Sequence, residues 1–236
     1  MQKVIHSANK RGVAEHGWLH SRHSFSFAEF YDAEKMGFGL LRVLNDDVVE
    51  PGQGFGTHPH NNMEIISIVL DGALAHKDSM GSKSVINKDD VQVMSAGTGV
   101  THSEFNASDT DPVNFLQLWI YPKEKNIKPR YDQKNFKADV KINNLATIVS
   151  GKNKNGSLYI HQNAEIDIAL LEKGKSIKRS LSFEGNGMYI FVINGSIKID
   201  DELLSEKDAM GLIGTEEITI EAVQKSRFIV IDVPMM

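Results

Sequence analysis

The sequence predicts an all-β protein built from two copies of one β-barrel unit. Three observations carry this: strand-length apolar runs along the whole chain, few segments of helical period, and one sharp turn signal that occurs twice. The runs are Leu40 to Leu44, Ile65 to Leu70, Val113 to Tyr121, Ala146 to Val149, Ile166 to Leu171, Met188 to Ile199 and Phe228 to Val233. Each is rich in Val, Ile and Phe, which fit a pleated surface, and each is bounded by Gly, Asn, Asp or Pro, which end strands.

The turn signal is Asp71-Gly72 between Val69-Leu70 and Ala73-Leu74, and again Asn194-Gly195 between Val192-Ile193 and Ser196-Ile197. Both read as type I′ hairpins, whose central residues adopt a left-handed backbone. Downstream, Lys88-Asp89-Asp90 and Glu206-Lys207-Asp208 each lead into another apolar strand, at offsets from the glycine that differ by a loop length. This repetition is the basis for the duplication. The polar, lysine-rich stretch from Pro122 to Lys141 supplies a boundary, with one barrel over residues 1–130 and the second over residues 131–236.

Composition narrows the chemistry. The 236 residues carry 26 Lys and Arg against 31 Asp and Glu, a net charge of −5 that argues against nucleic acid as the main partner. The chain has no cysteine, which excludes disulfides, thiolate metal sites, cysteine nucleophiles and iron–sulfur clusters. Histidine and carboxylate must therefore carry any metal or acid–base chemistry. The opening MQKVIHSANKRG contains no apolar stretch of a signal peptide, and no run approaches about eighteen apolar residues. The expectation is a soluble cytoplasmic protein with no membrane contact, and a monomer, since a duplicated barrel can cover its own faces.

The strongest local signal is Gly52-Gln-Gly-Phe-Gly-Thr-His58-Pro-His60-Asn-Asn-Met-Glu64, followed by Gly97-Thr-Gly99-Val-Thr-His102-Ser-Glu104-Phe-Asn106. In a strand, residues two apart share a face, so His58 pairs with His60 and His102 with Glu104. Two such strands side by side offer three imidazoles and a carboxylate. That set suits a divalent transition ion and leaves coordination positions open on a five- or six-coordinate metal. The glycines ahead of each pair allow tight turns and close backbone approach. Glu64 shares the parity of His58 and His60, and reads as a partner of the ligands rather than a ligand. His76 and Asp78 read as a polar strand end, and Phe25 and Phe27 as core.

These residues resemble the cupins. Gly52, His58, His60 and Glu64 match the first cupin motif, with Gly72 one residue late. Gly99, His102 and Asn106 match the second, although Gly97 stands where proline is usual and no glycine opens the motif. Within the cupins, Gly37-Phe38-Gly39, Leu44-Asn45-Asp46-Asp47, His58-Pro59-His60, His76-Lys77-Asp78-Ser79-Met80-Gly81, Ala96-Gly97-Thr98-Gly99, His102-Ser103-Glu104 and Phe115-Leu116-Gln117-Leu118-Trp119 resemble the pirin family. The resemblance implies two tandem cupin (jelly-roll) β-barrels, a bicupin. It implies one divalent metal, usually Fe(II), with Ni, Mn, Co, Cu and Zn as alternatives, held by residues matching His58, His60, His102 and Glu104. Bacterial pirins resemble quercetin 2,3-dioxygenases, which open the central ring of a flavonol with O2 and release carbon monoxide. By that resemblance Glu104 is also the catalytic base for the flavonol hydroxyl. A flat substrate would need apolar walls, for which Phe55, beside the ligand strand, is the candidate, with a core role as the equal alternative. The alternative implied by animal pirins is a metal-dependent, redox-sensing protein partner of a transcription factor or metabolic enzyme. A third is a Lewis-acid isomerase or hydrolase.

The duplication extends the reading. With Gly195 aligned on Gly72, Leu181, Phe183 and Gly187 fall where His58, His60 and Glu64 stand, and counting on from Asp208 puts Ile220 at the place of His102. None of these binds metal, so the second barrel is expected to be a metal-free partner with an apolar interior.

Overall fold

A computed structural model describes residues 1–152 and 156–235. It contains four antiparallel-rich sheets, a seven-stranded and a four-stranded one for each of two barrels. In the first barrel the larger sheet runs Arg130–Asn135, Asp90–Ser95, Glu64–Asp71, Val113–Ile120, Leu41–Val49, Leu19–His23, Gly12–Glu15. The smaller one runs Gly54–His60, Val100–Asn106, Ala73–Asp78, Lys83–Asn87. The second barrel repeats this plan, with a small sheet of Ser176–Ser180, Glu217–Ala222, Ser196–Ile199 and Glu202–Ser205. The protein is therefore the all-β double barrel that the sequence predicts, and among the described residues no helix is long and apolar enough to cross a membrane.

The two barrels are laced together. Gln2–His6 adds an edge strand to the second barrel by pairing with Ala209–Ile213, while Arg130–Asn135 pairs with Asp90–Ser95 in the first. Each barrel thus takes one strand from the segment that precedes the other. The stretch read as a linker contains a strand that straddles the 130/131 division. It is too polar to announce itself as a strand, being exposed or half-buried along its length.

The two Xxx-Gly turns are not hairpins. Glu64–Asp71 pairs with Asp90–Ser95 and Val113–Ile120, whereas Ala73–Asp78 pairs with Lys83–Asn87 and Val100–Asn106. Asp71-Gly72 is instead a corner at which the chain passes from one sheet to the other, as is Asn194-Gly195. Only the glycine takes a positive φ, +75° at Gly72 and +84° at Gly195. A Cβ there would lie 2.8 Å from Pro112 O and 2.4 Å from Lys225 O respectively, so close passage of a neighbouring strand explains why both corners carry glycine.

Packing distinguishes the two interiors. One large apolar cluster joins residues of both barrels, among them Ile66, Ile68, Leu116, Ile166, Tyr189 and Ile231, and so lies between the two large sheets. The second barrel is filled by a continuous cluster including Ile190, Val192, Ile197, Ile218, Ile220 and Val230. The first barrel holds two smaller clusters, around Val69, Leu74 and Phe115 and around Ile65, Met94 and Val100. Along Glu64–Asp71 the inward residues alternate as strand geometry requires, and Ser67 sits between inward Ile65 and Val69. The interruption of apolar packing marks where the site lies.

Candidate metal centre

Strands Gly54–His60 and Val100–Asn106 pair with His102 opposite His58 and Glu104 opposite Phe55. The mismatch in spacing is a bulge at Gly56 and Thr57, a device that re-aims side chains next to functional sites. On its other edge Val100–Asn106 pairs with Ala73–Asp78, placing Glu104 opposite His76 and His102 opposite Asp78. The glycine ahead of the first ligand pair is needed for this approach: a Cβ on Gly54 would lie 2.3 Å from Glu104 O.

His58, His60 and His102 converge, each offering a nitrogen within 4.8 Å of the others. Their ring centroids are 4.5 to 4.9 Å apart, and Nε2 of His58 and His102 are separated by 3.0 Å. Nδ1 of His58 lies 2.8 Å from Gly56 O; a carbonyl only accepts, so Nδ1 bears the proton and Nε2 presents a lone pair. Burial, then the neighbouring imidazoles, lowers His60 to about 4 and His102 to about 2, so both are neutral at physiological pH. Converging imidazole nitrogens, one ring steered by a backbone carbonyl, are what a divalent transition ion requires.

Glu104 is buried beside them. Its carboxyl accepts from Gln117 Nε2 at 2.9 Å and from Ser67 Oγ at 3.3 Å, and burial raises its pKa to about 7. It groups within 4.8 Å with His102 and His76, not with all three converging histidines. An adjacent cation would favour its ionised form. The four residues read from the sequence are thus assembled in one place as a histidine triad with a carboxyl beside His102.

Two residues differ from expectation. Glu64 bonds to Ser95 Oγ at 2.8 Å and to the His161 backbone N–H at 3.2 Å, and makes no hydrogen bond to any candidate ligand. Its carboxyl ties the first barrel to the second. His76, read as a strand end, is buried: its ring is 5.3 Å from His102 and 4.8 Å from Tyr131, and its Nε2 donates to Asp78 Oδ2 at 3.1 Å. The signal was present in the alternation of Leu74, His76 and Asp78, which places both polar residues on the face of buried Leu74.

Two spaces meet at the centre. An outer cleft of about 740 Å³ is lined by His58, His60, Met63, Thr98, Val100 and Trp119, among others. An inner cavity of about 210 Å³ is lined by Phe27, Asn45, Asp47, Phe55, His58, Glu104, Gln117 and Trp119. His58 and Trp119 border both. Phe55 lines the cavity as the sequence reading expects and also packs on the core. Phe27 was read as core but stands edge-on to Trp119 at 5.4 Å in the cavity wall.

In the second barrel Ile197 pairs with Ala222 as Leu74 pairs with Asn106 in the first, so Ile218 and Ile220 occupy the places of His102 and Glu104. Counting from Asp208 put Ile220 two residues off because the preceding loops differ in length. Opposite Ile218 stands Arg179, not Leu181; it is buried in an ion-pair network with Glu165 at 3.2 Å and Asp232 at 3.5 Å. Among the described residues both potential metal-holding groups lie in the first barrel.

A double barrel whose first half carries a partly buried histidine cluster defines a bicupin, and the comparisons place it within that class. Residues 5–120 match the Pirin family model, and residues 147–233 match the model of the quercetinase C-terminal cupin domain. The chain is 42% identical over 230 residues to a quercetin 2,3-dioxygenase from Escherichia coli strain K12, covering 98% of both chains. It is 36% identical over 225 residues to a pirin-like protein from Caulobacter vibrioides, covering 95% of this chain and 96% of that one. The crystal structure of the Escherichia coli bacterial pirin YhhW in complex with nickel(II) superimposes with a TM-score of 0.94 at 40% identity over 100% of both chains. The chain belongs to the pirin family.

Proposed function

We propose that the protein is a metal-dependent flavonol dioxygenase of the quercetin 2,3-dioxygenase type, with one divalent transition ion held by His58, His60, His102 and Glu104 in its first barrel. The observation that carries this is the convergence of three imidazoles, with a buried carboxyl at hand, beside an aromatic-lined cavity that His58 and Glu104 border. Close relatives of the same name support the reaction, and the nickel(II) complex of a relative supports the class of metal. Fe(II) and Ni(II) both suit this donor set.

When bound, the ion supplies a Lewis acid for the substrate hydroxyl and a centre for dioxygen chemistry. The protein supplies the rest. Glu104, held at Gln117 and Ser67, accepts the proton of the flavonol hydroxyl. Phe27, Phe55 and Trp119 give a flat ring apolar walls and exclude water. Both atoms of O2 enter the ring-opened ester, and the hydroxyl-bearing carbon departs as carbon monoxide. An apolar cavity opening from the cleft beside the candidate ligands supports catalysis over regulation by a protein partner, which needs a surface patch instead. A cytoplasmic setting belongs to the same proposal.

The test is carbon monoxide release from quercetin under air by protein stripped of metal and reloaded separately with Fe(II), Mn(II), Ni(II), Co(II) or Cu(II). Release with at least one ion, absent in His58→Ala, is expected. No release from any fully loaded form overturns the reading and turns the search to protein partners.

A further inference from the structure

A polar row crosses the inner face of the first barrel's large sheet. Gln92, Ser67, Gln117 and Asn45 are paired neighbours on four adjacent strands, and all four are buried. The corresponding row of the second barrel reads Met210, Ile190, Val230 and Asp167. Buried polar groups without partners are unfavourable where apolar residues fit equally well, so a row of this kind calls for something to bind. Ser67 and Gln117 are accounted for, because they hold Glu104.

Asn45 is not. Its Oδ1 is buried and has no hydrogen-bond partner among the described residues. Asp47, two residues along the same strand and therefore on the same face, is buried with its carboxyl accepting from Ser21 Oγ. Burial, with Asp46 adding to it and Arg11 opposing, raises Asp47 to about 7. Both side chains line the inner cavity, as does Trp119, whose Nε1 is also buried without a partner among the described residues. One end of this cavity is the metal centre, at His58 and Glu104. The apolar walls, the centre and two unsatisfied polar atoms therefore surround a single space.

Its size limits what enters. A cavity of about 150 Å³ holds benzene, so about 210 Å³ takes one substituted ring but not a three-ring flavonol. The rest of such a ligand has the outer cleft, which shares His58 and Trp119 with the cavity.

We propose that the inner cavity is a recognition pocket for one hydroxylated aromatic ring of the substrate, in which Asn45 and Asp47 hydrogen-bond a ring hydroxyl other than the one at the metal. A hydroxyl both donates and accepts, which suits the Asn45 carbonyl and a carboxyl able to take either role. A bare ring leaves Asn45 Oδ1 buried and unpaired, and sites built to bind a hydroxyl discriminate strongly against analogues that lack it. The inference rests on the flavonol reading and narrows it to polyhydroxylated flavonols.

The experiment is calorimetric titration, without oxygen, of the metal-loaded protein with quercetin and with 3-hydroxyflavone, which keeps only the hydroxyl that meets the metal. The wild-type protein is expected to prefer quercetin by about tenfold, the worth of one or two good hydrogen bonds. Asn45→Leu and Asp47→Asn are each expected to reduce that preference to about twofold while changing 3-hydroxyflavone affinity by less than about twofold. Equal wild-type affinities, or a preference that survives both substitutions, overturn the pocket assignment alone. Failure of the loaded wild-type protein to bind either compound overturns the flavonol reading and this inference together.

Discussion

Nε2 of His58 and Nε2 of His102 face each other at 3.0 Å across paired strands. With the proton of His58 on Nδ1, this is an arrangement for sharing a cation rather than for packing. The second barrel fills the place of His102 with Ile218. His102→Leu should therefore lose the ion yet leave the metal-free protein more stable by about 1 kcal/mol, because a buried imidazole with an unpartnered Nδ1 is removed. Metal content by mass spectrometry and thermal unfolding with chelator check both halves. A stripped variant less stable than stripped wild type would contradict the account.

His76 gives a second prediction. Donation of its Nε2 proton to Asp78 leaves Nδ1 as a lone pair, buried and without a partner among the described residues. A metal on Nε2 of His102 leaves a proton on that ring's Nδ1, which is likewise buried and unpartnered. The two are complementary in the way that outer partners orient metal-binding histidines. His76→Phe is expected to keep the fold and weaken metal affinity by about tenfold, measured by competition with a chelator. Unchanged affinity would reduce His76 to a packing residue.

The fold and the core of this site were legible because their signals are local. Apolar runs announce strands, and His-x-His and His-x-Glu announce a shared face, since the period of two is set by backbone geometry. What could not be read depends on pairing between distant strands. Gly12–Glu15 and Arg130–Asn135 lack an apolar signature, and the crossing at Asp71-Gly72 has the same dipeptide as a hairpin. Asn45 and Asp47 sit in a run read for its resemblance alone; their meaning appears only when Leu41–Val49 lies beside Val113–Ile120. Glu64 has the parity of a ligand but is drawn to His161 on the other barrel, which no local pattern encodes.

Gly54 tests the approach of the two ligand strands. Alanine there would put a Cβ 2.3 Å from Glu104 O and 2.5 Å from Phe105 Cα, both backbone atoms that cannot turn away. At Gly56 nothing lies within 4 Å of the same added atom. Gly54→Ala should cost about 2 kcal/mol of stability and reduce metal occupancy, with Gly56→Ala close to wild type in both. Urea unfolding and metal analysis of the pair read the difference, and equal behaviour would remove close approach as the reason for glycine.

The second barrel should behave as a packing unit. Ile220 is fully buried in a continuous apolar cluster at the place where the first barrel has Glu104. Ile220→Ala is expected to destabilise by about 2–5 kcal/mol while the folded protein retains its metal stoichiometry below the unfolding transition. Loss of metal from protein shown to be folded would mean that the barrels are coupled at the site.

His23 carries a pH dependence of known sign. Its ring is buried on Leu19–His23, packed edge-on against Phe27 at 5.2 Å, and burial together with Arg11, Arg22 and His16 lowers it to about 4. In the unfolded chain a histidine titrates near 6.5. Between those values the unfolded state binds a proton that the folded state refuses, so stability falls as pH drops from about 6.5 to about 4 and this contribution is constant outside that window. Integrated across it, His23 accounts for at most about 3 kcal/mol. His60 and His102 shift in the same direction, so the measurement is a difference: urea unfolding of wild type and His23→Gln at several pH values from 7.5 to 4.5 should give stability curves that converge as the pH falls, the variant losing less. Parallel curves would show that His23 accepts its proton in the folded state as readily as in the unfolded one.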